Sequence, residues 1–337
     1  MPTILRGDNH FQAVTYTGNG STQSITGLRF QPDFVWIKGR SGATDHALYD
    51  SVRGTTKDLV SNSTAAETTQ STGVTAFNSD GFSIGSLAKI NTNAATYVAW
   101  CWKGGGTAVT NNSGTISSQV SANASSGFSV VTATANGTAG ATVGHGLGVA
   151  PDLIIGKNRS NVVNWNIYHS ALGATKYLEF TTNAAGTSSA AWNNTAPTSS
   201  VVTLGGSAGA INTSGSFVLY CFAAVRGYSV FGSYSGTGNS DGPFIFTNFR
   251  PRWIMFKNTT VANDWMMFDT SRNTYNATNL YLQPNQSTAE ASGIGDGIDV
   301  LSNGFKIRGT NSTVNASGST MIYAAFAENP FNYSRAR

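Results

Sequence analysis

A single pattern of about a hundred residues runs through this chain three times, and the repetition restricts the fold to copies of one supersecondary plan. A proline, a short apolar run and a lysine recur at fixed distances in residues 32–38, 151–157 and 251–257. A second block keeps its distance from that lysine, at 45–51, 164–170 and 264–270. A third closes each copy at 97–102, 217–222 and 321–326, after Asn-bearing turns at Asn93, Asn212 and Asn315. Opening strands correspond over 11–17, 128–134 and 228–234, each followed by a turn rich in Gly or Asn. The first and third copies share Asp80-Gly81-Phe82 and Asn303-Gly304-Phe305, a strong hairpin signal, where the second has Val201-Val202-Thr203-Leu204.

Composition sets the type of copy. Only 11% of the 337 residues are charged, against about a quarter in typical domains, while Gly alone numbers 38. Helical bundles need Glu, Lys, Leu and Ala at helical periods, which this chain lacks. Thr, Val, Phe, Tyr and Trp instead fill short runs between turn residues, so each copy reads as a β-sandwich of short strands. The apolar runs do not alternate cleanly, which implies that both faces are covered. The expected organisation is a first sandwich at 1–105, a Gly/Ser/Asn-rich linker at 106–126, a second sandwich at 127–226 and a third at 227–337. Ile116 and Val120 could pin a short edge strand within the linker. The second and third copies join without a gap around Arg226-Gly227-Tyr228 and should pack as a rigid pair. The picture is three sandwiches in a row.

The net charge of +4 is scattered, with no basic run beyond Arg335 and Arg337, so nucleic-acid binding is not expected. Residues 1–8 are polar, and no apolar stretch is long enough to span a bilayer, so neither secretion through a signal peptide nor membrane insertion is expected. A protein of this kind working outside cells would be released by lysis or carried on a particle.

Candidate chemistry is sparse. Cys101 and Cys221 hold equivalent places, with Ala325 in the third copy, and read as buried free thiols rather than a disulfide. His10, His46, His145 and His169 show no metal-ligand spacing, and His46 and His169 sit at different offsets in the second block. Asp45 with Asp50, and Asp264 with Asp269, match between the first and third copies. A calcium site is conceivable there, but loop hydrogen bonding is the preferred reading. The four glutamates, Glu67, Glu179, Glu290 and Glu328, lie outside the repeated blocks, and no nucleophile elbow or phosphate loop is present. The expectation is no enzyme, no catalytic residue, no metal and no cofactor. Lys38, Lys157 and Lys257 recur, on this reading, because a charge at a strand end blunts edge pairing.

Several strings resemble a known family. Residues 227–234 with Asp241-Gly242-Pro243-Phe244, residues 249–254, the closing stretches 301–306 and 325–331, and 143–151 in the middle copy are similar to a domain of unknown function common in tailed phages of aquatic bacteria. The resemblance implies a virion structural protein built of three tandem concanavalin-like or jelly-roll β-sandwiches. It brings no catalytic residues. Within that setting the first expectation is a tail-fibre or appendage adhesin for host-surface glycan. Trp165, Trp265 and Trp192 are the candidate sugar-stacking residues, although a repeated Trp also serves as core. A capsid-decorating, horn or tail-wall protein without ligand is the alternative, and a glycan depolymerase the second. Expected partners are other virion proteins and further copies of the chain, with a trimer favoured.

Overall fold

The computed structural model is nearly all β, and its described residues are 4, 6–181, 183, 186–187, 191–206, 210–293, 295 and 297–328. The polar start at 1–3, the closing residues 329–331 and the basic pair Arg335 and Arg337 lie outside them.

Three antiparallel arrays share one strand order. In the first, an opening strand Phe11–Thr17 pairs with a closing strand Thr96–Trp102, then a lysine strand Phe34–Gly39, then an outer strand Ala47–Asp50. The second runs Phe128–Thr134, Ser216–Phe222, Leu153–Asn158 and Asn166–His169. The third runs Ser229–Ser235, Thr320–Ala327, Pro251–Asn258 and Met266–Asp269. Each copy adds a small sheet. Gln23–Ile25, Gly81–Ile84 and Val74–Asn78 form the first, Ala141–Gly144 with Val201–Leu204 the second, and Phe244–Phe246, Gly304–Ile307 and Ile298–Leu301 the third.

Strand register refines the sequence alignment. Phe11, Phe128 and Ser229 face Trp102, Phe222 and Phe326, so the third opening strand starts one residue later than Tyr228. The equivalent buried turn asparagines are Asn91, Asn212 and Asn315, not Asn93. Each accepts from a backbone amide of the opposite turn, at Asn19, Asn136 and Thr237. The hairpin expected at Asp80-Gly81 and Asn303-Gly304 forms, with Asn78 opposite Gly81 and Leu301 opposite Gly304. Glycine is required there by close approach: a Cβ on Gly81 or Gly304 would run into the carbonyl of Ile25 or Ile245.

The segment expected to be a linker is sheet. Val109–Asn111 and Ser118–Asn123 extend the second array to six strands, and Ile116 makes a parallel bridge to Val143. Its small polar residues disguised it. Main-chain pairing with Phe128–Thr134 holds the segment, and Ser118, Ile116 and Val120 supply what little burial it needs.

Nor do the copies stand in a row. Along each closing strand, alternate residues point to opposite faces. Tyr97, Ala99 and Cys101 meet Ile25, Phe82 and Ile84 of their own small sheet, and Phe217, Leu219 and Cys221 meet Val143, Val202 and Leu204. The other set, including Val98, Trp100, Trp102, Val218, Tyr220, Phe222 and Phe326, enters one core shared by all three copies. At its centre the equivalent residues Trp102, Phe222 and Phe326 form a triangle with ring centroids 5.7–5.9 Å apart. Truncating such a ring to Ala costs about 3–5 kcal/mol. The runs are apolar on both faces because the small sheet covers one and the neighbouring copies cover the other. Cys101 and Cys221 are free and buried, and burial pushes the Cys221 thiol up to about 12.

Candidate functional site

After the outer strand each chain segment returns to bridge it, through Leu59 to Leu48, Leu178 to Ile167 and Leu282 to Met267. The next residue offers its carbonyl to a neighbouring copy. Trp165 Nε1 donates to Val60 O (2.9 Å) and Trp265 Nε1 to Glu179 O (2.8 Å). In the first copy His46 takes the tryptophan position. Its Nδ1 accepts from Trp36 Nε1 (2.8 Å), so the proton sits on Nε2 and is donated to Gln283 O (3.0 Å). Burial among these groups pushes His46 well below the ordinary histidine range. The second copy therefore holds the first, the third holds the second, and the first holds the third. The contacts close a ring.

The recurring lysines tighten the same ring. Lys38 Nζ donates to Thr288 O (2.8 Å), Ser287 O (3.2 Å) and Gly39 O (3.1 Å). Lys157 donates to Val163 O (2.6 Å), Thr64 O (3.0 Å) and Asn161 O (3.3 Å). Lys257 donates to Thr181 O (3.4 Å) and to Asn263 O. All three are buried, and burial lowers each to about 8. The edge-blunting expectation fails, because the lysine strand lies between the closing and outer strands. The charge instead gathers loop carbonyls from two copies.

Among the described residues, two of the three seams also carry buried ion pairs. Arg53 pairs with Asp50 and with Glu67 (2.8 Å), and Glu67 also receives Arg159 of the second copy (2.7 Å). Arg272 pairs with Asp269 (2.6 Å) and Glu290 (2.9 Å), and Glu290 receives Arg40 of the first copy (2.9 Å). The remaining pair of acids has hydrogen-bonding work. Asn62 Nδ2 donates to Asp45 Oδ1 (2.7 Å), and Asn285 Nδ2 (2.6 Å) and Gln286 Nε2 (2.9 Å) donate to Asp264 Oδ1. Among the described residues no group of three or more His, Cys, Asp or Glu side chains could hold a metal ion.

The ring closes around a cup of about 240 Å³. Asn62, Ser63 and Thr64 of the first copy, Thr181 of the second and Gln286 of the third line it, and Phe180 closes its floor. The Phe180 ring is held by tryptophans of all three copies, with centroids 5.6 Å from Trp36, 5.8 Å from Trp165 and 5.3 Å from Trp265. Hydroxyls and carboxamides over an aromatic floor, with no charged lining residue among the described residues, suit a neutral, hydroxyl-rich ligand.

The tryptophans expected to stack on sugar do not present a face. Trp165, Trp265 and Trp192 are each 1% exposed. The first two spend their N–H groups on the ring, and Trp192 packs edge-on to Tyr168 (6.1 Å) inside the second copy. Trp165 borders the cup and Trp265 supports its floor, so the sequence pointed to the right neighbourhood through the wrong atoms. Besides Asn164 and Trp165, the lining residues match in position and not in type across the three copies, so no repeated residue marks them. Each follows the aligned Leu59, Leu178 or Leu282 by two to five residues.

A family model described as a domain of unknown function (DUF7483) matches residues 6–330. The chain belongs to that family. The DUF7483 match takes in all three copies at once, which agrees with a core that no copy completes alone. No curated protein matches the chain.

Proposed function

We propose that this DUF7483 protein is a structural protein exposed on a phage virion, acting as a tail-fibre or appendage adhesin whose cup receives the end of a host-surface glycan. The observation that carries the reading is the cup itself. Three copies supply hydroxyl and amide groups around one aromatic floor, and the interlocked carbonyl, tryptophan and lysine contacts hold its rim in place. A rigid scaffold presenting polar loops is the arrangement that recognition sites use. The resemblance of the repeated strings to phage proteins supports the particle setting.

Adsorption of labelled protein to host cells, together with a glycan array, tests the proposal. Ser63→Trp and Gln286→Trp each fill the cup from partly exposed loop positions, and each should reduce binding at least tenfold with unchanged thermal stability. Binding that survives both substitutions removes the cup from the function.

A further inference from the structure

Among the described residues, the small sheet of the third copy has an open aromatic edge, whereas that of the first is polar and that of the second is occupied. The Ile307 N–H bonds to the Pro243 carbonyl, so 243 and 307 form a hydrogen-bonded pair, and by alternation so do Ile245 and Phe305. The N–H and C=O groups of Phe244 and Phe246 are thereby directed outward, away from Gly304–Ile307, along the sheet's free side. The two residues are 45% and 59% exposed, among the largest apolar exposures of the described residues.

The counterparts are managed differently. Register equates Ile25, Val143 and Ile245, which face Phe82, Val202 and Phe305. The first copy accordingly carries Ser24 and Thr26 where the third has the two phenylalanines, so its edge is polar. In the second copy the edge is occupied by the chain itself. The Ile116 N–H donates to the Thr142 carbonyl (2.9 Å), the Thr142 N–H donates to Thr115 Oγ1 (2.8 Å), and Ile116 lies buried beside Val143 in a parallel bridge. Thr142 is the equivalent of Phe244. One copy therefore shows what this edge accepts: an extended segment running parallel, with a β-branched apolar side chain beside the central residue.

We propose that the Phe244–Phe246 edge is a docking site for an extended strand of another polypeptide, added in parallel as residues 114–116 are added to Ala141–Gly144. The partner segment has the chemistry of that internal strand, small and hydroxyl-bearing residues flanking one Val or Ile, and the two phenyl rings cover its flanks. Strand addition of this kind draws its affinity from main-chain hydrogen bonds and its selectivity from the pocketed side chain. An aromatic pair beside unpaired main-chain groups is otherwise an aggregation hazard, which the first copy avoids with hydroxyls. This proposal does not depend on the glycan reading of the cup.

The probe is a synthetic peptide of residues 112–118 of this chain, titrated into the full-length protein and followed by amide shifts in nuclear magnetic resonance. Saturable binding is expected, with shifts confined to residues 243–247 and 303–307. Phe246→Pro removes an outward N–H where an edge strand tolerates proline. The pair Phe244→Ser with Phe246→Thr restores the polar edge of the first copy. Each variant should weaken the peptide at least tenfold while the melting temperature stays within a few degrees of the parent. No saturable binding to the unaltered protein overturns the proposal, as does binding that both variants retain. A self-association of the unaltered protein that the double substitution abolishes also overturns it, since the occupant would then be a second copy.

Discussion

The seam between the first and second copies and the seam between the second and third do the same job with opposite chemistry. In the former, Asp50 caps its own turn by accepting from the Val52 N–H (3.1 Å), while its other oxygen accepts from the Tyr220 hydroxyl (2.8 Å), and Arg53 neutralises it. In the latter, His169 takes the aspartate's place. Its Nδ1 accepts from the Ala171 N–H (3.2 Å), the same cap, but Nε2 donates to the Tyr323 carbonyl (3.1 Å). The partner ring is gone, replaced by Ala324, and the arginine position holds Leu172. The Glu67 position, eight residues after the bridging leucine, is Gly186, and the Arg159 position is Thr259. The seam between the third and first copies follows the charged version, with Trp100 Nε1 donating to Asp269 (3.0 Å) and Arg272 lying over the Trp100 ring (5.8 Å).

The difference teaches that the charges come and go as a set. A buried carboxylate cannot stay once its arginine is lost, because removing one partner leaves an uncompensated charge in a low-dielectric core. What all three seams keep is the skeleton of ring N–H to carbonyl and lysine to loop carbonyls. That skeleton closes the ring, and the ion pairs are one of two ways to fill the space beside it.

The largest expected effect comes from breaking one charged seam. Arg53→Met strands Asp50 and leaves Glu67 with Arg159 alone, and should cost about 3–5 kcal/mol in denaturant unfolding. Adding Asp50→His to Arg53→Leu copies two positions of the uncharged seam and should recover at least half of that loss. A double variant as unstable as Arg53→Met would show that the two seams are not interchangeable solutions. Next in size, replacing each recurring lysine by Met should cost about 1–3 kcal/mol, since carbonyls of two copies lose their donor. The three values should agree within a factor of two; a lysine that matters in one copy only would break the shared skeleton.

The effect that is smallest per step is graded with pH and separates the seams. Burial lowers His169 to about 4, below the ordinary value near 6.5 that it regains on unfolding. The unfolded chain therefore binds the proton first as pH falls. Stability from this group is complete above about pH 6.5 and is lost progressively toward pH 4, at roughly 1.4 kcal/mol per unit. His169→Asn keeps a capping acceptor without a titrating ring, and should flatten the unfolding midpoint over that window relative to the parent. An unchanged acid slope would mean that the seam between the second and third copies is not where the proton enters.

Much of this was legible in residue order. The aligned blocks, the all-β class, the covered faces and the apolar role of both cysteines follow from spacing and side-chain type. Gly, Ser and Asn give 106–126 the composition of a tether, while strand pairing is made by the main chain, which composition does not report. An aromatic is a strong strand cue, so the sequence puts the third opening strand at Tyr228, one position early. The register is set instead by backbone bonds, which place Ser229 opposite Phe326. Recurrence singles out the lysines and tryptophans but not their tasks, since it marks a shared constraint without naming the partner.

Order along the chain determined that one strand plan is used three times and that its central strands need cover on both sides. Only the tertiary structure decided that each copy supplies that cover to the next, turning a tandem array into a closed ring with a cup at its centre. The reason is physical: an apolar face states that it must be buried, but whether a small sheet, a loop or a neighbouring copy buries it depends on distances across the fold, and those are set by how three curved sheets pack around Trp102, Phe222 and Phe326.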